Sequence, residues 1–390
     1  MRNIVIFING DFTLLENGSQ IRMAEQVDFA RNNFSSTSVY SFIQHPSHPW
    51  TDTARQRFSN MFPNVELILE NRPRHLRWAT RVKNLALAVA PWAGSKIIRW
   101  TAPGGPPRYQ AMKSKSESFV FLVNFVDGYT ILNGFPFASV IDTHDVRFIK
   151  HAKRYDMPTY SWRVLGKMRS ELAILSCTQA VIMISPIDRA IIEALLPPKT
   201  SIFLVPIFQE QHALGPTSLP YTHDLLFVGA LNTFNISGIT GFIRDNMDWI
   251  GRRSILLAGR VCDAPEVKQL ASECSNLTLA GFVEDLAPVY ASAKGVLSPV
   301  DGTGLKIKVI EGLKHGKPIF GSAHSRDALP AGSEACVFPL DRVHVESVLD
   351  NPEGLLLAEE AARAYYERLG EAGERGKFVE CIEEMLSPSS

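Results

Sequence analysis

Between Leu297 and Phe320 the chain reads Leu-Ser-Pro-Val-Asp-Gly-Thr-Gly-Leu-Lys-Ile-Lys-Val-Ile-Glu-Gly-Leu-Lys-His-Gly-Lys-Pro-Ile-Phe, and these residue types at this spacing could do chemistry. A strand is expected to end at Ser298–Pro299, and a loop of small residues, Gly302, Thr303 and Gly304, then enters a helix. Val309, Ile310 and Leu313 would form its buried stripe. Gly316 sits where a left-handed residue closes a helix, and Pro318 helps prevent its continuation. A glycine loop feeding a helix N-terminus offers unbonded N–H groups and the positive end of the helix dipole, which suits a diphosphate. Lys306 and Lys308, in the first turn, would neutralise the same phosphates. Glu311, three residues after Lys308, could accept hydrogen bonds from sugar or ribose hydroxyls. The plainer alternative is a surface helix with two solvated lysines and an i,i+3 ion pair.

A second polar group follows the apolar run Ser139-Val-Ile, as Asp142-Thr-His-Asp145. In an open parallel sheet the carboxyl ends of the strands face the ligand crevice. Asp142, His144 and Asp145 are therefore candidates for touching a ligand hydroxyl, with His144 steering or deprotonating it; alternatively the run only caps the next helix. In the first loop, Gly18 and Ser19 suit a turn and N-cap, and Arg22, one turn in, would reach an anionic group or else lie solvated. No GxGxxG occurs, which argues against a nicotinamide or flavin enzyme. The five cysteines are scattered without ligand spacing, so neither a zinc site nor a disulfide framework is expected.

Stepping from these residues to the elements that must carry them, short β-branched runs alternate with helical segments, the pattern of βαβ units. Strands are expected at Ile4–Ile8, Ser38–Phe42, Phe119–Val123, Ser139–Ile141, Ala180–Ile184 and Ile202–Val205. A second series is expected at Leu225–Val228, Ser254–Leu257, Leu277–Leu279, Gly295–Leu297, Pro318–Phe320 and Ala335–Phe338. A polar, Pro-containing stretch from Gln209 separates them. The division predicted is an N-terminal domain over 1–208, a C-terminal domain over 209–360 and a helical cap over 361–390. The N-terminal apolar run reads as a strand and not a signal peptide, and no run approaches the roughly 18 apolar residues of a membrane span.

Lys+Arg and Asp+Glu number 40 each, so no overall charge argues for nucleic acid. The charge is uneven locally. Residues 72–115 hold ten Lys and Arg and no acid, interleaved with Trp78, Leu85, Val89, Trp92 and Trp100. This stretch suits docking on an anionic membrane surface, or grip on an anionic acceptor, or two buried helices with basic rims.

The segment from Gly302 resembles the donor-binding motif of glycosyltransferase family 4 in the variety G-x-G-x-K-x-K-x-x-E-x-L-x-x-G-x-P. His223 to Gly229 looks like that family's first C-domain strand and glycine. Asn235 with Gly241-Phe-Ile looks like the next helix, and Ile255 to Gly259 like the second strand. Gly281, Phe282 and Val283 resemble the loop whose backbone contacts the nucleobase. The resemblance implies a GT-B fold, that is, α/β with two Rossmann-like doubly wound domains facing across a cleft. It also implies a nucleoside-diphosphate sugar donor as co-substrate, a retaining reaction, and no metal or other cofactor. The first of the family's paired glutamates falls at Thr303, with Asp301 the nearest acid, and Arg260 would replace the family's absent loop cations. More weakly, Gly10 to Arg22 resembles the family's first loop. Asp142-Thr-His-Asp145 resembles an Asp-x-His-Asp element, continued by Glu171 and Ile182 to Pro186.

The expectation is a cytoplasmic hexosyltransferase of polysaccharide biosynthesis, peripheral on the inner membrane face, acting on a glycan or lipid-linked acceptor. The rival expectations are a non-catalytic nucleotide-sugar-binding partner, a nucleotide-sugar epimerase on the same fold, and a membrane adaptor.

Overall fold

The computed structural model describes residues 3–90, 93, 96–97, 100, 106–114, 119–132, 139–208, 213–215, 220–301, 304–372 and 374–386. The chain divides into two compact units, Met1–Gln209 together with Gly373–Ser390, and Glu210–Ala372.

Among the described residues, the N-terminal unit is built on β1 (Asn3–Phe7), β2 (Ser36–Phe42), β3 (Glu66–Glu70), β4 (Phe119–Asn124), β5 (Ser139–Asp142), β6 (Ala180–Met183) and β7 (Ser201–Leu204). All pair in parallel, in the order β3-β2-β1-β4-β5-β6-β7. Parallel neighbours need crossovers, and the helices that supply them cover both faces. Successive residues of β1 accordingly enter opposite cores. Ile4 and Ile6 pack with Val27, Phe58 and Phe203, while Val5 and Phe7 pack with Tyr40, Phe121 and Leu175. β3 was not among the expected strands. Its Glu-Leu-Ile-Leu-Glu is a short edge strand whose apolar centre is only half buried.

The C-terminal unit carries β8 (His223–Val228), β9 (Ile255–Ala258), β10 (Leu277–Gly281), β11 (Ala293–Ser298), β12 (Ile319–Gly321) and β13 (Val337–Pro339). Its order, β10-β9-β8-β11-β12-β13, repeats the same winding. In each unit the order reverses beside the first strand, between β1 and β4 and between β8 and β11. Ligands of open α/β sheets bind outside the carboxyl ends of the strands at such a reversal.

The expected cap over 361–390 is divided between the units. The helix Pro352–Ala372 stays with the C-terminal unit, where Tyr365 donates to the Pro330 carbonyl at 2.6 Å. The helix Arg375–Leu386 packs Phe378 and Ile382 into the N-terminal core. There Glu374 accepts from the Leu204 N–H and Arg375 donates to the Phe208 carbonyl, both at 2.9 Å. No helix among the described residues is long and apolar enough to cross a membrane.

Candidate functional site

In the C-terminal unit, the loops leaving β8, β9 and β10 approach one another closely through glycines. The Gly259 N–H donates to the Gly281 carbonyl at 2.7 Å, and the Val261 N–H to the Gly229 carbonyl at 3.0 Å. A Cβ on Gly259 would lie 2.5 Å from the Gly229 oxygen, and its φ of +92° already excludes most side chains. Arg260 follows, exposed at the start of a 3₁₀ turn whose Val261 and Cys262 are buried. Gly281 (φ +70°) has open space around it, and Phe282 beside it is 58% exposed. An exposed ring after a glycine that leaves backbone accessible can cover a flat base. Val283 is half buried.

Across the strand-order reversal, Gly304 (φ +67°) is buried after β11, with its carbonyl 3.2 Å from His324 Nε2. Gly302 and Thr303 lie outside the described residues. The helix that follows is Ile307–Lys314, one residue shorter at its start than the lysine spacing suggested. Lys306 is its N-cap and supplies no side-chain cap bond. Lys308, in the first turn, is buried instead of solvated. Its Nζ lies 3.7 Å from the centroid of the Phe227 ring on β8 and donates to Asn235 Oδ1 at 3.0 Å. Asn235 stands near the start of the helix Thr233–Asp245. Its Nδ2 is committed to the Ala230 carbonyl at 2.9 Å, which aims Oδ1 at the lysine. Lys308 thus ties the two helices that flank the reversal. Burial, reinforced by Lys306, pushes its pKa well below the usual lysine range. Glu311 faces Lys314 at 3.9 Å and not Lys308, and burial raises its pKa. An arriving diphosphate would favour the charged form of Lys308, and Glu311, not paired with Lys308, can accept from a hydroxyl.

In the N-terminal unit the corresponding reversal lies between β1 and β4, and here the structure corrects the sequence reading. Arg22 does not present its charge to an outside anion. It is buried, with Nε on Asp142 at 2.8 Å and its two terminal nitrogens on the Pro206 and Val205 carbonyls at 3.0 and 2.9 Å. Asp142 is completely buried, accepting also from Gln26 and from the His144 N–H, so it cannot touch an acceptor. It is a positioning residue. Asp145 pairs with Lys150 at 2.5 Å. The N-cap of the first helix is Asn17, which accepts from the Gln20 N–H. Gly18 and Ser19 are its first helical residues and not its cap. Glu171 caps the helix Arg147–Arg154 by accepting the Arg147 and Phe148 N–H groups, both at 3.0 Å.

His144 remains, in the left-handed region at φ +58°, stacked on Phe125 (φ +62°) with ring centroids 4.1 Å apart. Non-glycine residues held there at the ends of adjacent strands mark stored strain of the kind found at functional sites. Its Nε2 is 2.6 Å from Asn124 Oδ1, and the Asn124 Nδ2 donates to Gln26 Oε1 at 2.8 Å. Gln26 in turn donates to Asp142. This chain of amides fixes the tautomer: Nε2 carries the hydrogen and Nδ1 keeps its lone pair. Burial lowers the His144 pKa to about 4, so the ring is neutral at pH 7. Gln26, Asn124 and His324 were not singled out from the sequence, and Asn235 was read there only as part of a helix. Only the position of Asn124 at a strand's carboxyl end could have flagged one of them.

Residues 222–367 match a family model described as Glycosyl transferases group 1. No curated protein matches the chain. Among solved structures it is similar to the sucrose-phosphate synthase of Thermosynechococcus elongatus (15% identity, both chains wholly covered, TM-score 0.67). It is also similar to S. aureus TarM, solved with fondaparinux, α-GlcNAc-glycerol and UDP (9%, both wholly covered, 0.64). A third is Anabaena HepE with UDP-glucose (10%, 99% of each chain, 0.61). At these identities the likeness is one of fold, over the full length.

Proposed function

We propose that this chain, a GT-B glycosyltransferase whose C-terminal unit carries the group 1 domain, moves a hexose from a nucleoside-diphosphate sugar to a hydroxyl of a glycan or lipid-linked acceptor. The observation that carries the donor assignment is Lys308. It is a buried lysine without a carboxylate partner among the described residues, held at the strand-order reversal by Asn235 and the Phe227 ring. A cation kept out of water at a helix start is poised for an anion. The diphosphate lies on Lys306, Lys308 and the glycine loop of Gly302, Thr303 and Gly304, with Arg260 from the facing loop. The base rests on the Gly281 to Val283 turn beside Phe282, and Glu311 takes a sugar or ribose hydroxyl. The UDP and UDP-glucose bound by the HepE neighbour support this class of donor.

As the bond to the donor sugar breaks, negative charge develops on the departing nucleoside diphosphate, and the preorganised cations stabilise it. In the N-terminal unit, His144 Nδ1 accepts the hydrogen of the acceptor hydroxyl and orients it. With so low a pKa it orients more than it abstracts. The reaction retains configuration and needs no metal. Trp78 and Arg74, exposed one turn apart on the helix Arg74–Val89, support peripheral docking on an anionic membrane. Trp92, Arg99 and Lys115 of the basic stretch lie outside the described residues.

Calorimetric titration against a panel of nucleoside diphosphates tests the donor site. Lys308→Ala, with Lys308→Met as the volume-preserving control, should weaken the best ligand at least tenfold, about 1.4 kcal/mol. Unchanged binding and turnover in both folded variants would remove Lys308 from the site.

A further inference from the structure

A cavity of about 1010 Å³ opens in the N-terminal unit at the carboxyl ends of its strands, lined by Asn9 after β1, His45 after β2 and Asp127 after β4, and walled by the helices Arg74–Val89 and Trp162–Leu175. Its lining is strongly cationic. Arg72, Arg77, Arg81, Arg163, Lys167 and Arg169 all contribute, and none has a carboxylate within ion-pair distance among the described residues. Two acids also line it. Asp127 pairs with Arg147, a seventh cation of the lining, and Glu171 caps a helix.

Arg72 shows what the cavity lacks. One terminal nitrogen bonds the Thr80 hydroxyl at 2.5 Å, while its buried Nε–H has no acceptor. Burial and neighbouring Arg77 bring its pKa down to about 10, and burial with surrounding cations also lowers that of His151 in the same wall. Six cations around one concavity, none paired to a carboxylate among the described residues, leave a place for an anion. Guanidinium forks match phosphate oxygens in pairs. The concavity is of ligand size, where a membrane surface would ask for a convex face. Trp162, 78% exposed at the rim with Leu85 and Val89, adds an apolar edge.

We infer that this cavity holds a phosphate of the acceptor, so that the acceptor is a phosphorylated glycan, soluble or lipid-linked. The inference rests on the transferase reading for the word acceptor, but the cavity's anion affinity is measurable without it.

Equilibrium binding to the full chain would be measured for glucose 6-phosphate, for farnesyl diphosphate in detergent and for neutral glucose, each with and without UDP. At least one phosphate should bind tenfold or more tighter than glucose, in the presence of UDP as in its absence. Arg77→Ala/Arg81→Ala, at exposed helix positions, should cost that ligand at least tenfold, while Lys308→Ala leaves it unchanged. Preference for farnesyl diphosphate assigns a lipid-linked acceptor, and preference for glucose 6-phosphate a soluble one. The inference is overturned if neither phosphate outbinds glucose or if the double variant binds like the parent. It is equally overturned if phosphatidylglycerol vesicles bind through these arginines while both phosphates fail. Loss of UDP binding with phosphate binding intact would sink the donor assignment alone.

Discussion

His144 and Lys308 are two side chains whose buried environments disturb their ordinary chemistry, and both were legible as candidates from type and spacing alone. Their neighbours were not. Asp142 and Arg22 looked equally functional, yet they neutralise each other inside the sheet end. A sequence does not show that residues so far apart meet. Nor did it show that Glu171 closes a helix start by accepting two backbone N–H groups. The burial of His144 has a pH consequence. An unfolded histidine takes up its proton near 6.5 and buried His144 near 4, so between these values the unfolded chain binds more protons. Stability is therefore full above about 6.5 and falls as pH drops towards 4. From pH 7 to pH 5 the loss should be roughly 2 kcal/mol. His315 acts in the same direction, so the measurement is the difference in urea-unfolding free energy between the two pH values for the parent and His144→Gln. A variant with the parent's full pH loss would show that His144 is solvated in the folded state.

Strands and helices were mostly legible because both sheets are covered on both faces, which writes each interior strand as a β-branched run. β3 escaped for the converse reason, since an edge strand needs only half such a run. The glycine loops after β8, β9 and β10 were visible as glycines, but not why they must be glycines. Gly259→Ala forces a Cβ onto the Gly229 oxygen at a positive φ and should cost about 2–4 kcal/mol. It should also weaken nucleotide binding, because Arg260 and the Gly281 turn hang from the same contacts. Gly241→Ala is the internal comparison. It lies within the helix Thr233–Asp245 with open space around it, and should stabilise by about 0.5–1 kcal/mol. Thermal melts of both variants with and without nucleotide separate the two effects. Equal shifts in the two would show that the loop contacts do not hold the site.

The two units are separate bodies of core, and calorimetry should resolve them. Phe378 is fully buried, with Phe203, Phe208 and Phe29 around it, and comes from the helix that follows the C-terminal unit in sequence. Phe378→Ala should remove about 3–5 kcal/mol from the N-terminal unit and leave the melting of the C-terminal unit, read by nucleotide protection, where it was. A lowered C-terminal transition instead would place the last helix on the other core. The return of Arg375–Leu386 to the first unit also sets an order of events during synthesis. At ribosomal speeds this helix emerges roughly 10–50 s after the strands it covers, β7 and β4. Through that interval Phe203 and Phe208 wait on an open flank, a surface for chaperones to hold. A chain that stops within the second unit lacks the side chains that complete its first core, and should be cut faster than the full chain in limited proteolysis.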